Sequence, residues 1–153
     1  MGTCDALVSA YDFMPTLLDH LGMEIPVQQN LPGRSFMPVL RGEADQLSEA
    51  ICIYDEYGPV RMIRTQEWKF VYRHAHGPDD LYHLTEDPDE RVNLAGDVAY
   101  EPVRRELRGM MNEWFARYAI TEHDGLRESA DEFEGIKADD ATIHRYRTRV
   151  WQR

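Results

Sequence analysis

The stretch WKFVYRHAHGPDDLYHL, from Trp68 to Leu84, sets His74 and His76 just before a Gly-Pro pair and Asp79 and Asp80 just after it. Residues i and i+2 of a strand share a face, so His74 and His76 could both meet one metal ion, with Asp79 or Asp80 as a third ligand. Gly77-Pro78 makes this loop short, and a solvated hairpin tip is the reading adopted. A polar rim beside a neighbouring pocket is the remaining alternative.

Other candidate chemistry is thinner. Asp79-Asp80 and Asp139-Asp140 are paired carboxylates of the kind that bind hard cations, but such pairs are also common in turns and acidic tails. Nucleophilic catalysis needs a serine, threonine or cysteine held in a strained turn or beside a base. Ser9 in VSAYD and Thr65 in RTQ show no such elbow, and neither Cys4 in GTCDAL nor Cys52 in AICIYD has a histidine close by in sequence. Cys52, inside an apolar run, reads as a small buried residue.

The elements that must position these groups follow from periodicity. DFMPTLLDHLG (Asp12 to Gly22) and SFMPVLRG (Ser35 to Gly42) repeat one pattern: a capping side chain, a proline three residues on, and a terminating glycine. Asp12 and Ser35 are expected to cap two short helices over 13–21 and 36–41, with Gly22 and Gly42 in the left-handed conformation. Tyr11, Met14, Leu17, Leu18 and Leu21 form an apolar stripe on the first helix that needs a cover.

From Ala50 to Leu84 four β-type runs follow, AICIYDEY, VRMIRT, KFVYR and DLYHL, with breaks at Gly58-Pro59, Gln66-Glu67 and the histidine loop. Alternation puts Trp68, Phe70 and Tyr72 on one face of the third strand and Lys69, Val71 and Arg73 on the other. Asp87-Pro88 starts a turn, and Gly96 and Asp97 precede a helix over about 100–118 with Val103, Leu107, Met110, Met111, Trp114 and Tyr118 on one face. The expected fold class is α+β: a four-stranded antiparallel sheet packed against a long C-terminal helix, preceded by two short helices. Three regions are expected: 1–42 with the short helices, 43–120 with the sheet and long helix, and a charged tail over 121–153.

At 153 residues the chain has room for one domain with a core. Its formal net charge of −11 argues against nucleic acid as a partner, since phosphate binding needs a basic surface. The local exception, Arg145, Arg147, Arg149 and Arg153, follows the acidic run ESADEFEGIKADD and reads as a polyampholytic tail. No apolar run reaches the length of a membrane span, so no membrane partner is expected. Two cysteines in unlike contexts give no disulfide framework.

Read in order, VSAYDFMPTLLDHLG, LPGRSFMPVLRGE, VRMIRTQEWKFVYR and DDLYHLTEDPDERVNLAGD, followed by an amphipathic helix, resemble the C-terminal part of the sulfatases. These are the formylglycine-dependent, metal-requiring hydrolases of the alkaline phosphatase superfamily, and the resemblance covers Val8 to Tyr118. It implies that 1–42 is the end of the catalytic domain and 43–120 the C-terminal subdomain. It implies also that the complete enzyme needs formylglycine and a divalent cation, calcium or magnesium. The family's nucleophile motif, Cys/Ser-x-Pro-x-Arg, matches neither Cys4 nor Cys52, and its metal-ligand pairs precede the region of likeness, so no catalytic, cofactor-binding or metal-binding residue transfers to this chain. The expected partner is the sulfatase catalytic domain; the alternative is a stand-alone module that associates with itself through apolar faces. Loops such as HAHGPDD can reach the substrate cleft in this family, which makes His74 and His76 candidate residues of the cleft rim.

Overall fold

A computed structural model describes residues 3–24, 30–54, 60–74, 78–120 and 124. His76, the Gly58-Pro59 turn, the Asp139-Asp140 pair and the arginine-rich tail lie outside the described residues.

Four strands, β1 (Ile51–Tyr54), β2 (Val60–Arg64), β3 (Trp68–Arg73) and β4 (Asp80–His83), pair antiparallel in sequence order. Their register aligns one residue from each strand: Cys52 faces Ile63, Ile63 faces Phe70, and Phe70 faces Leu81. All four are buried, and Phe70 and Leu81 are fully so.

Over this row lies the long helix α3 (Glu101–Tyr118), which buries Leu107, Met111 and Phe115 at successive i+4 steps. Each large side chain buried in this core contributes roughly 1.5–3 kcal/mol. The expected helix face is confirmed, with Phe115 as an added member. Asp97 leads into α3 through a short 3-10 helix over Val98–Tyr100, its Oδ1 accepting from the Ala99 N–H at 2.9 Å. Trp68 and Tyr72 pack against the core from β3 as alternation requires. On the opposite face Val71 and Tyr82 are buried.

The opening segment carries α1 (Phe13–His20), entered through a short 3-10 helix over Ala10–Asp12, and α2 (Met37–Leu40). Gly22 and Gly42 terminate them at φ 68° and 73°, as expected. Asp12 does not cap α1 with its side chain. Its buried carboxylate reaches further: Oδ2 accepts from the Ser9 N–H at 2.7 Å, and Oδ1 accepts from the Arg34 N–H at 2.9 Å. Thr16 extends the seam, its Oγ1 donating to the Asp12 carbonyl and accepting from the Phe36 N–H at 3.0 Å. Ser35 does accept from the first turn of α2, at the Met37 N–H, while donating to Asp19 Oδ2 at 2.5 Å. Of the apolar stripe on α1, Met14, Leu17 and Leu21 remain exposed, as does Phe13.

Gly33 fits this seam only because it lacks a side chain. A Cβ there would lie 1.9 Å from the Tyr11 carbonyl oxygen, so Gly33→Ala must push the two segments apart and strain the Arg34 to Asp12 hydrogen bond. The expected loss is about 2 kcal/mol or more, read as a lower midpoint in urea unfolding.

Candidate functional site

The β3–β4 hairpin gathers most of the polar side chains singled out from the sequence. At its loop end Arg73 pairs with Asp80 at 2.5 Å and donates from Nη1 to the Pro78 carbonyl at 2.9 Å. Asp79 Oδ1 accepts from the Arg73 N–H at 3.2 Å. Asn93 braces the same turn from the following segment, donating to the Asp79 carbonyl and to Asp80 Oδ1 and accepting from the N–H groups of Leu81 and Ala95. Both aspartates are thus committed to the hairpin. The Asp80 hydrogen bond raises the Arg73 guanidinium further still, so its charge is held at every working pH.

His74 stands at the end of β3, where it shares a 3.0 Å hydrogen bond between Nδ1 and the Tyr72 hydroxyl. The Arg108 guanidinium, from α3, sits 4.3 Å from the centroid of the Tyr72 ring, a cation–π distance. His74 is thus bonded to Tyr72, while Asp79 and Asp80 are bonded to Arg73 and Asn93. Among the described residues no cluster of three or more His, Cys, Asp or Glu could hold a metal ion.

Of the other nucleophile candidates, Ser9 and Thr65 are engaged and Cys52 is buried. Ser9 Oγ donates to Asp12 Oδ2 at 3.1 Å, and Thr65 Oγ1 accepts from the Trp68 N–H at 2.9 Å, which staples the β2–β3 turn. Burial pushes the Cys52 thiol up to about 12, so it stays protonated and unreactive at neutral pH. Cys4 is exposed.

With this geometry the comparison with known proteins is direct. Residues 1–117 match the family model described as N-sulphoglucosamine sulphohydrolase, C-terminal. The chain belongs to this sulfatase C-terminal family. The Delta 4,5-hexuronate-2-O-sulfatase of Bacteroides thetaiotaomicron is 30% identical over 135 residues, which cover 84% of this chain and 25% of that protein. A solved structure in complex with its substrate D-glucosamine-2-N,6-O-disulfate aligns at a TM-score of 0.64 and 27% identity, over 77% of this chain and 25% of the other. The phosphonate monoester hydrolase of Agrobacterium radiobacter aligns at 0.58 and 28% identity, over 77% and 26%. This chain spans about a quarter of the length of the curated relatives it matches. Because a phosphonate hydrolase carries the same subdomain, the subdomain alone does not choose between sulfate and phosphonate.

Three polar features of this sulfatase subdomain escaped the sequence reading: the Asn93 brace, the ion pair of buried Arg61 with Asp124, and a clamp around His83. The His83 ring stacks on Trp68 with centroids 4.2 Å apart, its Nε2 lies 2.8 Å from Glu67 Oε1, and its Nδ1 lies 3.2 Å from Glu86 Oε2. The Glu67 hydrogen bond, with Glu86 beside it, raises the imidazole above its ordinary value of 6.5. A raised folded-state value means that the stabilisation is fully present below about 6.5 and is lost as pH rises through the folded-state value. Between about pH 6 and about pH 9 the wild type should lose more thermal stability than His83→Gln; parallel melting curves for the two proteins measure the difference.

Proposed function

We propose that the chain is the C-terminal subdomain of a sulfuric ester hydrolase, that it supports the catalytic domain structurally, and that it performs no catalysis alone. The observation that carries this reading is a chain matching the family's C-terminal region without any Cys/Ser-x-Pro-x-Arg sequence: Cys4 is followed by Asp5-Ala6-Leu7 and Cys52 by Ile53-Tyr54-Asp55. In the complete enzyme, formylglycine would supply the nucleophile and a divalent cation, calcium or magnesium, would stabilise charge on the ester oxygens. The residues described here do not fit that cation, since Asp79 and Asp80 are bonded to Arg73 and Asn93.

In this reading 1–42 closes the catalytic domain, 43–120 forms the subdomain, and 121–153 is the charged tail. The exposed Phe13, Met14, Leu17 and Leu21 on α1 are the face that the catalytic domain covers. His74, with His76 beyond it, would lie at the rim of the substrate cleft, where a neutral or charged imidazole can donate to an oxygen of the ester-bearing group. A chromogenic aryl sulfate incubated with the purified chain, with calcium and separately with magnesium, should show no turnover above buffer. Turnover that co-purifies with the chain through successive columns would overturn the proposal.

The same exposed α1 face also favours a second reading, a module that pairs with a copy of itself through that apolar surface. Light scattering on the purified chain separates the two readings. A dimer that reverts to monomer in Leu17→Glu is the outcome the second one requires, and a monomer at high concentration removes it.

A further inference from the structure

The two edges of the sheet are finished differently. At β4 the edge is closed: the Leu94 N–H donates to the Leu81 carbonyl at 2.8 Å, and Asn93 Oδ1 accepts from the Leu81 N–H at 3.0 Å. Among the described residues β1 pairs only with β2, which leaves its other side open. Sheet edges are ordinarily guarded by proline, charge or a covering segment. β1 reads Ile-Cys-Ile-Tyr, with no proline or charge within it, and leaves Ile53 44% and Tyr54 55% exposed. An apolar, uncharged edge of this kind accepts one more strand.

The sequence beyond Asp124 holds a segment that matches this edge. RYRTRV, Arg145 to Val150, alternates arginine with the strand formers tyrosine, threonine and valine. Extended backbone would set Arg145, Arg147 and Arg149 on one face and Tyr146, Thr148 and Val150 on the other. Four arginines and no acidic residue fall between Ile143 and Arg153, in a chain of formal net charge −11. Asp124 fixes the point from which this segment departs. It is ion-paired with Arg61, which stands opposite Tyr54 of β1 in the sheet register. At roughly 3.3 Å per extended residue, the chain from Asp124 to Ile143 is long enough to return along β1 in either direction.

Each face of the open edge offers a complement. On the α3 side a cavity of about 570 Å3 is bordered by Ala50, Ile51 and Cys52 and by Glu49, Glu113 and Trp114. Glu49 and Glu113 are exposed, and neither has an ion pair among the described residues. Arg34 and Arg117 border the cavity too, but with Asp12 the carboxylates outnumber them three to two. Trp114 adds an aromatic face of the kind on which a guanidinium stacks. On the other side of the sheet, exposed Ile53 stands opposite Met62, and Met62 opposite Val71, an apolar row that ends at the β1 edge.

We propose that residues 145–150 dock on their own chain as a fifth strand along β1. Arg145, Arg147 and Arg149 then face Glu49, Glu113 and Trp114, while Tyr146, Thr148 and Val150 continue the row of Ile53 and Met62. Main-chain hydrogen bonds hold such a strand, and the two unlike faces set its register. A second copy laid edge to edge on β1 would bring two chains of net charge −11 together without this compensation, so the chain's own segment is the better occupant. The assignment is independent of whether the chain supports ester hydrolysis.

The test uses the isotopically labelled full-length chain, with amide exchange and nuclear Overhauser contacts read residue by residue. Amides in 145–150 should exchange at least about tenfold more slowly than those in 128–134, and should show cross-strand contacts with Ile51–Tyr54. Arg147→Glu should lower that protection about fivefold, because a carboxylate then faces carboxylates. The Leu81 and Met111 signals should stay in place in this variant, which the same spectra verify. Unprotected amides in 145–150 overturn the proposal, and so does protection without contacts to β1 or protection indifferent to Arg147→Glu. A sample mixed from labelled and unlabelled chains separates the remaining occupant. Contacts found only between chains would overturn docking in cis and leave a dimer that exchanges the segment. None of these outcomes bears on the aryl sulfate assay.

Discussion

The row Cys52, Ile63, Phe70 and Leu81 is the constraint on which everything else hangs. Each residue is directly opposite the next across the sheet, and Leu107, Met111 and Phe115 of α3 close over them. Side chains alternate between faces, so a slip of one residue in any pairing would turn a member of that row away from the helix. The register in turn sets the ends of the hairpins. Thr65 stands where its hydroxyl can hold the Trp68 N–H, and Asp80 stands where it can meet Arg73. The polar geometry is thus a consequence of apolar packing.

Among the described residues the buried charges Asp12 and Arg61 are each matched by neighbours, as their desolvation demands. Arg61 is 8% exposed on the core side of β2, with its guanidinium 3.9 Å from the Phe115 ring centroid and bonded to Asp124. Asp124 follows the end of α3, so this pair ties the chain beyond the helix back to the sheet. Asp12, 3% exposed, plays the equivalent part at the other end by joining Ser9 to Arg34. Arg61 thus ties Asp124 to the sheet, while Asp12 ties two parts of the opening segment to each other. Removing either partner alone would leave a charge in a poorly solvated site, which costs more than the lost bond.

Much of this frame was legible in the sequence, for identifiable reasons. Turn residues and alternation mark β2, β3 and β4 within one residue of their observed ends, while the AICIYDEY run continues past Tyr54 into residues outside the described ones; Gly22 and Gly42 mark the helix ends because only their backbone tolerates positive φ there. What could not be read depends on partners distant in sequence. Asp12 has the local form of a helix cap, yet its second oxygen is taken by Arg34, 22 positions on. Asn93 meets Asp80 across 13 positions and His83 meets Glu67 across 16, separations at which no periodicity operates. Periodicity supplied the fold class, and the resemblance to sulfatases supplied the family and the expected absence of a nucleophile motif, but neither could say which side chains this chain uses to hold itself together.

In the proposed reading the hairpin would serve a site that the subdomain does not contain. Asn93 and Arg73 bond both aspartates, and the imidazole of His74 is oriented through Tyr72, whose ring lies 4.3 Å from the Arg108 guanidinium of α3. Each of these contacts reaches back to the core row, since Tyr72 lies two residues from Phe70 and Arg108 one residue from Leu107. A group placed at the end of β3 is therefore held with the rigidity of the core and not with that of a loop. Such support suits a residue that must meet a substrate presented by another domain, because the alignment then depends on how the two bodies dock and not on the loop's own ordering entropy.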